Sequence, residues 1–265
     1  MSMDYTTIIL TKQSGVAMIK FNRPEVLNAF DHVMGKEIGS AVAKISDDPE
    51  VRCVILTGAG RAFCAGGDIK GLLSGFGSFS PDERRAQMKN IHRWLIELIN
   101  LDRPVIAAVN GYAVGAGMSL AMAADIIIAE EDAKFAQSFV GIGLAPDLAG
   151  SYLLPRLVGL NKAKELTFTG ETFDAQTAQR LGIVNQVVPA EELEQVTWQL
   201  ALRLAQGPTK AIGLAKAMLN KSFETDLTTF LDNEASYQTF CAGTEDFREG
   251  AQAFIEKRKP EFKGK

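Results

Sequence analysis

Three short apolar runs, Val51 to Thr57, Val105 to Val109 and Ile126 to Ala129, recur along the chain with helical patterns between them. Each is too short for a core helix and lacks the alternation of a half-exposed strand, so each reads as a strand buried on both faces. Buried strands separated by helices need crossover connections, which predicts an α/β fold with a mainly parallel sheet. Ahead of them, Thr7 to Lys12 and Gly15 to Phe21 are β-rich runs around Gln13-Ser14, a predicted hairpin, and Asn22-Arg23-Pro24 is a turn. Helical patterns cover Asp31 to Ile45, Lys89 to Asn100 and Met118 to Ala124.

After Gly182 the pattern changes. Glu191 to Ala205, Thr209 to Lys221, Leu227 to Cys241 and Thr244 to Lys259 read as successive helices. The expected division is an α/β core over 1–190 and a helical region over 191–265 that packs on the core or on a neighbouring copy. The 265 residues are 46% apolar and 23% charged, which excludes disordered and fibrous classes. A net charge of −4 supplies no general field to gather nucleic acid or an anionic membrane. No apolar run approaches a membrane span, and Met1 to Tyr5 has no basic flank leading into an apolar core. The expectation is a soluble, cytoplasmic protein. Cys53, Cys64 and Cys241 lack paired metal spacing and read as reduced thiols, with no metal site.

Two glycine-rich segments follow predicted buried strands: Ala62 to Ile69, containing Gly66-Gly67, and Asn110 to Leu120, containing Gly115-Ala116-Gly117. In parallel sheets, ligands bind beyond the carboxyl ends of strands, and small residues there let backbone N–H groups approach them. The second segment also opens a helix, whose first N–H groups have no partner within it. Two such loops facing one another can form an oxyanion hole. Tight packing and phosphate binding remain open on this pattern alone, although neither the dinucleotide fingerprint nor the P-loop is present.

Taken in order, the pieces are more specific. Asn22-Arg23-Pro24 with Leu27-Asn28-Ala29, then Ala62 to Ile69, Arg103 to Gly111, Ala123-Ala124-Asp125, Leu154 to Gly159 and Ala178 to Asn185 resemble the signatures of the crotonase superfamily. The resemblance runs from about Thr6 to Lys259. It implies a crotonase-like spiral of ββα/βαβ turns with a C-terminal helical trimerisation region, assembled as a homotrimer or a dimer of trimers. It implies an acyl-CoA thioester as substrate, with coenzyme A part of that substrate and no separate cofactor. By position, the oxyanion donors are the backbone N–H groups of Gly67 and Ala116, and Gly115 and Ser119 lie beside them. The family usually has glycine where Ala116 stands. The resemblance places adenine and pantetheine along Val26, Leu27, Ala29, Ala65, Asp68 and Ile69. It also places Phe254 and Lys257 in a closing element near CoA phosphate, from an adjacent subunit in one reading. A solvated basic helix end is the other reading of Lys257.

The reaction depends on the group that moves the proton. Hydratases of the superfamily hold water with two glutamates, and at their positions this chain has Ser119 and Phe139. A carboxylate follows in Gly141 to Ser151, at Asp147, among apolar or small neighbours with no Lys or Arg nearby. Local sequence leaves two readings open: a base whose pKa is raised by an apolar pocket, and a turn aspartate capping the helix near Ala149. An aspartate here resembles the enoyl-CoA isomerases and the ring-opening isomerase of phenylacetate breakdown. The leading expectation is a 3-enoyl-CoA to 2-enoyl-CoA isomerase with Asp147 as the shuttle. Hydration, dehalogenation of an aromatic acyl-CoA and thioester hydrolysis are alternatives, as is a CoA-ester-binding or RNA-binding protein with little catalysis. Dehalogenating relatives pair the aspartate with a tryptophan and a histidine; His92 can supply the latter, while Phe139 holds the tryptophan place. Phe139, Trp94 and Met118 read either as acyl-pocket walls or as plain core.

Overall fold

The computed structural model describes residues 5–74 and 80–265. Residues 1–4, on which the reading of the N-terminus partly rests, lie outside the described residues. β1 (Ile8–Gln13) and β2 (Val16–Phe21) form the expected hairpin, but its turn is Ser14-Gly15, one residue later than expected. Both turn residues have positive φ, 51° and 76°, which matches the twist of a two-residue hairpin loop. α1 (His32–Asp47) begins at Asp31, whose side chain accepts the Met34 N–H at 2.8 Å.

The main sheet continues with β3 (Cys53–Gly58), and the chain then crosses into a three-residue strand, β4 (Ala62–Cys64). After α2 (Ile69–Ser74) and α3 (Pro81–Ile99) the same step recurs twice. β5 (Val105–Val109) leads to β6 (Tyr112–Val114) and α4 (Ala116–Met122); β7 (Ile126–Glu130) leads to β8 (Lys134–Ala136). α5 (Gly150–Val158), α6 (Leu160–Thr169), β9 (Phe173–Asp174), α7 (Ala175–Arg180) and β10 (Gln186–Val188) follow. The six-stranded sheet has the order β1-β2-β3-β5-β7-β10, parallel from β2 onward. The second sheet has the order β4-β6-β8-β9. Successive turns of the chain thus add one strand to each sheet, which makes a spiral.

The central strands separate two layers of core. Val54 and Leu56 face Met34, Ile38 and Leu98 of α1 and α3, while Cys53 and Ile55 face the other way. Parallel strands buried on both faces need apolar residues at every position, and β5 is buried throughout. The second face is covered by α8 (Leu193–Ala205), whose Leu193, Ala201 and Ala205 pack on Ile55, Ile106 and Ile128. The helical region after 190 therefore begins as a layer of the core. α9 (Thr209–Lys221) also docks there: Lys216 is buried, pairs with Asp125 at 2.8 Å and donates to the Arg103 carbonyl. α10 (Leu227–Ala242) and α11 (Glu245–Glu256) lie further out, and no residue of α10 is buried.

α3 starts eight residues before the expected helix at Lys89. Its first half is polar and exposed, so it shows no apolar period. The start is set by a capping box, with Ser80 accepting from Glu83 N–H and Glu83 accepting from Ser80 N–H. No helix among the described residues is long and apolar enough to cross a membrane.

Candidate active site

β4 and β6 are adjacent and parallel, with Ala62 opposite Tyr112 and Cys64 opposite Ala113. The two glycine-rich loops therefore leave the second sheet side by side. A Cβ built on Gly66 would lie 3.1 Å from the Val114 carbonyl, so the loops touch through their backbones. Gly115 takes φ 53° and ψ −118°, a conformation open to glycine, and delivers the chain into α4. Ala116 is the first helical residue, so its N–H has no acceptor within α4. Its φ is not positive, and its Cβ is buried without conflict. Alanine is thus tolerated at the position where the resemblance usually implies glycine.

The direction of the Gly67 N–H follows from strand register. Phe30 forms a parallel bridge with Gly67: Phe30 N–H donates to the Gly66 carbonyl at 2.7 Å, and Asp68 N–H donates to the Phe30 carbonyl at 2.8 Å. Backbone groups alternate sides along an extended segment, so the Gly67 N–H points away from Phe30. Among the described residues no backbone acceptor takes the N–H of Gly67 or of Ala116. Two unpaired donors stand on neighbouring loops.

The segment expected to hold CoA is assembled around the same bridge. Ala65 N–H donates to the Leu27 carbonyl at 3.0 Å, joining Val26, Leu27 and Ala29 to Ala65, Asp68 and Ile69 in one ledge. Val26 and Ile69, each 40% exposed, form its open rim. Two residues to which no role was assigned from sequence build this ledge. Asn28 is wholly buried at φ 56° and donates to the carbonyls of Ala59 and Ala62. Arg23 pairs with Asp31 and Asp68, each at 3.0 Å. Their motif is visible in the sequence; their partners are not.

Asp147 lies before two left-handed residues, Leu148 at φ 46° and Ala149 at φ 61°, after which α5 begins at Gly150. Left-handed non-glycine residues are costly and concentrate at functional sites. The carboxylate is half-buried, and its Oδ1 is buried without a hydrogen-bond partner. The N-cap of α5 is Ala149 and no side chain caps that helix, so the capping reading of Asp147 is overturned. Burial pushes the Asp147 carboxyl up to about 6, offset only in part by His92 and by the residue's own backbone N–H. Asp147 acts in turn on the thiol of Cys64, which burial raises to about 11. Cys64 ends β4, from which the Gly66-Gly67 loop leaves after Ala65, so the carboxylate is within electrostatic reach of the start of that loop.

α5 packs closely on α4 where a Cβ built on Gly150 would fall 2.5 Å from the Ser119 Oγ. Ser119 is wholly buried and accepts from Gln137 Nε2 at 3.4 Å. Phe139 is 7% exposed, and its ring edge lies 3.8 Å from the Cβ position of Gly115. Ser119 and Phe139, where the resemblance expects the hydratase glutamates, thus lie close to the Gly115-Ala116 turn, and neither carries a carboxylate. Trp94 packs against Gly39 and Phe30, and Met118 is wholly buried, so both belong to the core. His92 is exposed on α3, within electrostatic reach of Asp147. Phe254, 86% exposed, and Lys257, which ends α11 at φ 56°, are not hydrogen-bonded to the donor loops or the ledge within one chain. No cluster of three or more His, Cys, Asp or Glu suited to a metal ion occurs among the described residues.

A double-sheet spiral with unpaired main-chain donors on adjacent loops is the architecture of the crotonase superfamily. Residues 11–265 match the model of the enoyl-CoA hydratase/isomerase family. The chain is 40% identical to the 1,2-epoxyphenylacetyl-CoA isomerase of Escherichia coli, over 96% of this chain and 97% of that protein. It is also 40% identical to the crotonyl-CoA hydratase of Syntrophomonas wolfei, over 98% and 99%. A solved enoyl-CoA hydratase/isomerase from Cupriavidus metallidurans superposes with a TM-score of 0.92 at 37% identity, covering 100% of this chain and 98% of that one. The chain belongs to the enoyl-CoA hydratase/isomerase family and is an enzyme of that family.

Proposed function

We propose that this enzyme isomerises an acyl-CoA, moving a double bond from the 3- to the 2-position. The observation that carries the reading is Asp147: a half-buried carboxylate without a cationic hydrogen-bond partner, within electrostatic reach of the strand end that leads into the Gly67 loop, with no second carboxylate at Ser119 or Phe139. The thioester oxygen accepts from the N–H groups of Gly67 and Ala116. Asp147 removes a proton from C2, the C–H electron pair forms a C1–C2 double bond and the carbonyl π pair moves onto the thioester oxygen. The two donors hold the resulting dienolate, which the C3–C4 double bond extends to C4. The protonated carboxyl then returns the proton at C4, leaving the double bond between C2 and C3. A carboxyl with a pKa of about 6 suits both halves of this cycle, because it is ionised at neutral pH yet gains a proton readily. Hydration needs a water held and activated by acidic side chains, and Phe139 presents an apolar edge there instead.

The substrate ledge runs along Val26, Leu27, Ala29, Ala65, Asp68 and Ile69, with the acyl thioester reaching past Gly115 toward Ser119 and Phe139. A ring-derived acyl group is the favoured substrate class, supported by the name of the E. coli relative. The enzyme works as a trimer or a dimer of trimers, in which the exposed Phe254 and Lys257 reach the CoA of a neighbouring copy. The test is an assay of 3-enoyl-CoA and 2-enoyl-CoA with wild type and Asp147→Asn. Isomerisation that collapses in the variant, with hydration at background throughout, is the expected result. Hydration as the main activity would overturn the reading, and so would full isomerisation in the variant.

A further inference from the structure

We propose that Arg23 is a positioning residue that aims the Gly67 N–H at the thioester oxygen. The direction of that N–H depends on the bridge between Phe30 and Gly67, in which Phe30 bonds to the residues on either side of Gly67. A slip of one residue would turn the Gly67 N–H toward Phe30, because backbone groups alternate sides along an extended segment. The bridge is a single pair, supported on one side by the Ala65 N–H bond to the Leu27 carbonyl, so side chains that grip the other side add to what holds its register.

The Arg23 guanidinium spans it. Nη1 donates to the Ala29 carbonyl and pairs with Asp31 Oδ2 at 3.0 Å, gripping the residues immediately before and after Phe30. Nη2 donates to Asp68 Oδ2 at 3.0 Å, the residue immediately after Gly67. Both carboxylates are fixed at helix starts, Asp31 by the Met34 N–H at 2.8 Å and Asp68 by the Gly71 N–H at 3.0 Å. One rigid, planar group therefore ties the beginnings of α1 and α2 to the strand pair between them. A lysine has the charge but lacks the fork that reaches three acceptors in fixed directions. The side chain is 17% exposed and its partners 25% and 21%, so the pairs are only partly screened by water. The Gly71 N–H and the Arg23 charge hold the Asp68 carboxyl below the usual carboxylate range, which keeps the partner ionised in acid.

This inference rests on Gly67 and Ala116 being donors to a thioester, and not on the role of Asp147. The experiment measures the thioester carbonyl stretch of bound hexanoyl-CoA and phenylacetyl-CoA in wild type, Arg23→Lys and Arg23→Gln, together with kcat and KM. In wild type the two donors lower the stretch below its solution value. In Arg23→Gln it returns most of the way, and kcat falls about 10- to 100-fold, which is less than the loss of a whole oxyanion donor. Arg23→Lys falls between the two. A residue that served folding alone would lower thermal stability and leave the stretch of the bound thioester unchanged. Arg23→Gln with the wild-type stretch and kcat would overturn the role of Arg23 while leaving the donors in place. An unshifted stretch in wild type would overturn the donors themselves, and the inference with them. If Arg23→Gln does not fold, Arg23→Lys decides the same question.

Discussion

Gly117 lies flat against the carbonyl of Cys64, so closely that a Cβ built at 117 would overlap that oxygen. This contact clamps the start of α4 to the end of β4, and therefore one donor loop to the other. Ala116 next to it carries a Cβ without conflict. Of the three residues Gly115-Ala116-Gly117, the middle one can thus change while the last cannot. Gly117→Ala is expected to force the loops apart, with a stability loss of about 1–3 kcal/mol from overpacking. Its kcat is expected to fall about 100-fold as the donors separate. Urea unfolding and steady-state kinetics read the two effects, and wild-type values in both would show that the loops do not depend on this contact.

Asp147→Asn removes the base while keeping the shape. Isomerisation of 3-enoyl-CoA is expected to fall about 10²- to 10⁴-fold, the usual contribution of a positioned proton-transfer group. Binding of a saturated acyl-CoA, measured by calorimetry, is expected to stay within about threefold, because the donors and the ledge are untouched. A variant that loses binding as well as turnover would mean that the carboxylate holds the site together.

The pH dependence follows from the same group. Proton removal needs the carboxylate, so kcat/KM is expected to rise with pH along an acidic limb centred near 6. The folded pKa is raised above that of the unfolded chain, so folding takes up a proton between about pH 4 and 6. Stability from the protonated form is present at about pH 4 and lost as pH rises through 6; above that the fold bears the full cost of the buried charge. A shift of this size corresponds to at most about 3 kcal/mol, and partial exposure reduces it to about 1–2 kcal/mol. Asp147→Asn, with no charge to bury, is expected to be more stable than wild type by that amount at pH 7.5 and equal to it near pH 4. Urea unfolding at the two pH values measures the difference. Equal stability at pH 7.5 would mean that the carboxylate is solvated.

The parts of the fold legible in the sequence are those with a period. Val105 to Val109 is a strand at its expected bounds, and Thr209 to Lys221 a helix at its expected bounds. The second sheet has no strand-by-strand signal in the sequence, although it carries both donor loops. Ala62–Cys64, Tyr112–Val114 and Lys134–Ala136 are three residues each, too short to show alternation, and exist because the spiral stacks them. In the site, Gly67, Ala116 and Asp147 stand out through motifs, but the capping reading of Asp147 needed the geometry of Leu148 and Ala149 to remove it. The grip of Arg23 on Asp68 spans 45 residues and leaves no local trace. Phe254 and Lys257 matched a motif, yet one chain does not bond them to the ledge, since that reading requires a second copy.

A second copy is expected to cover the outer helices of the C-terminal region. α10 carries Leu227, Leu231 and Phe240 at 71%, 48% and 57% exposure, and no residue on it is buried. Phe254 and Ile255 on α11 are 86% and 73% exposed. Scattered apolar residues on a surface are ordinary, but two successive helices with large apolar side chains uncovered are the pattern expected of a face that another copy covers. Covering each such side chain contributes about 1.5–3 kcal/mol, enough in sum to hold copies together against the entropy of association. Light scattering is expected to give a mass of three or six chains. Phe240→Glu is expected to lower it, because a charge buried in that contact has no partner. If α11 of one copy completes the CoA site of the next, the same variant raises KM for the acyl-CoA as the assembly dissociates. A wild-type protein that scatters as a single chain would remove both the assembly and the role of Lys257. A dissociated variant with unchanged KM would keep the assembly but confine the site to one chain.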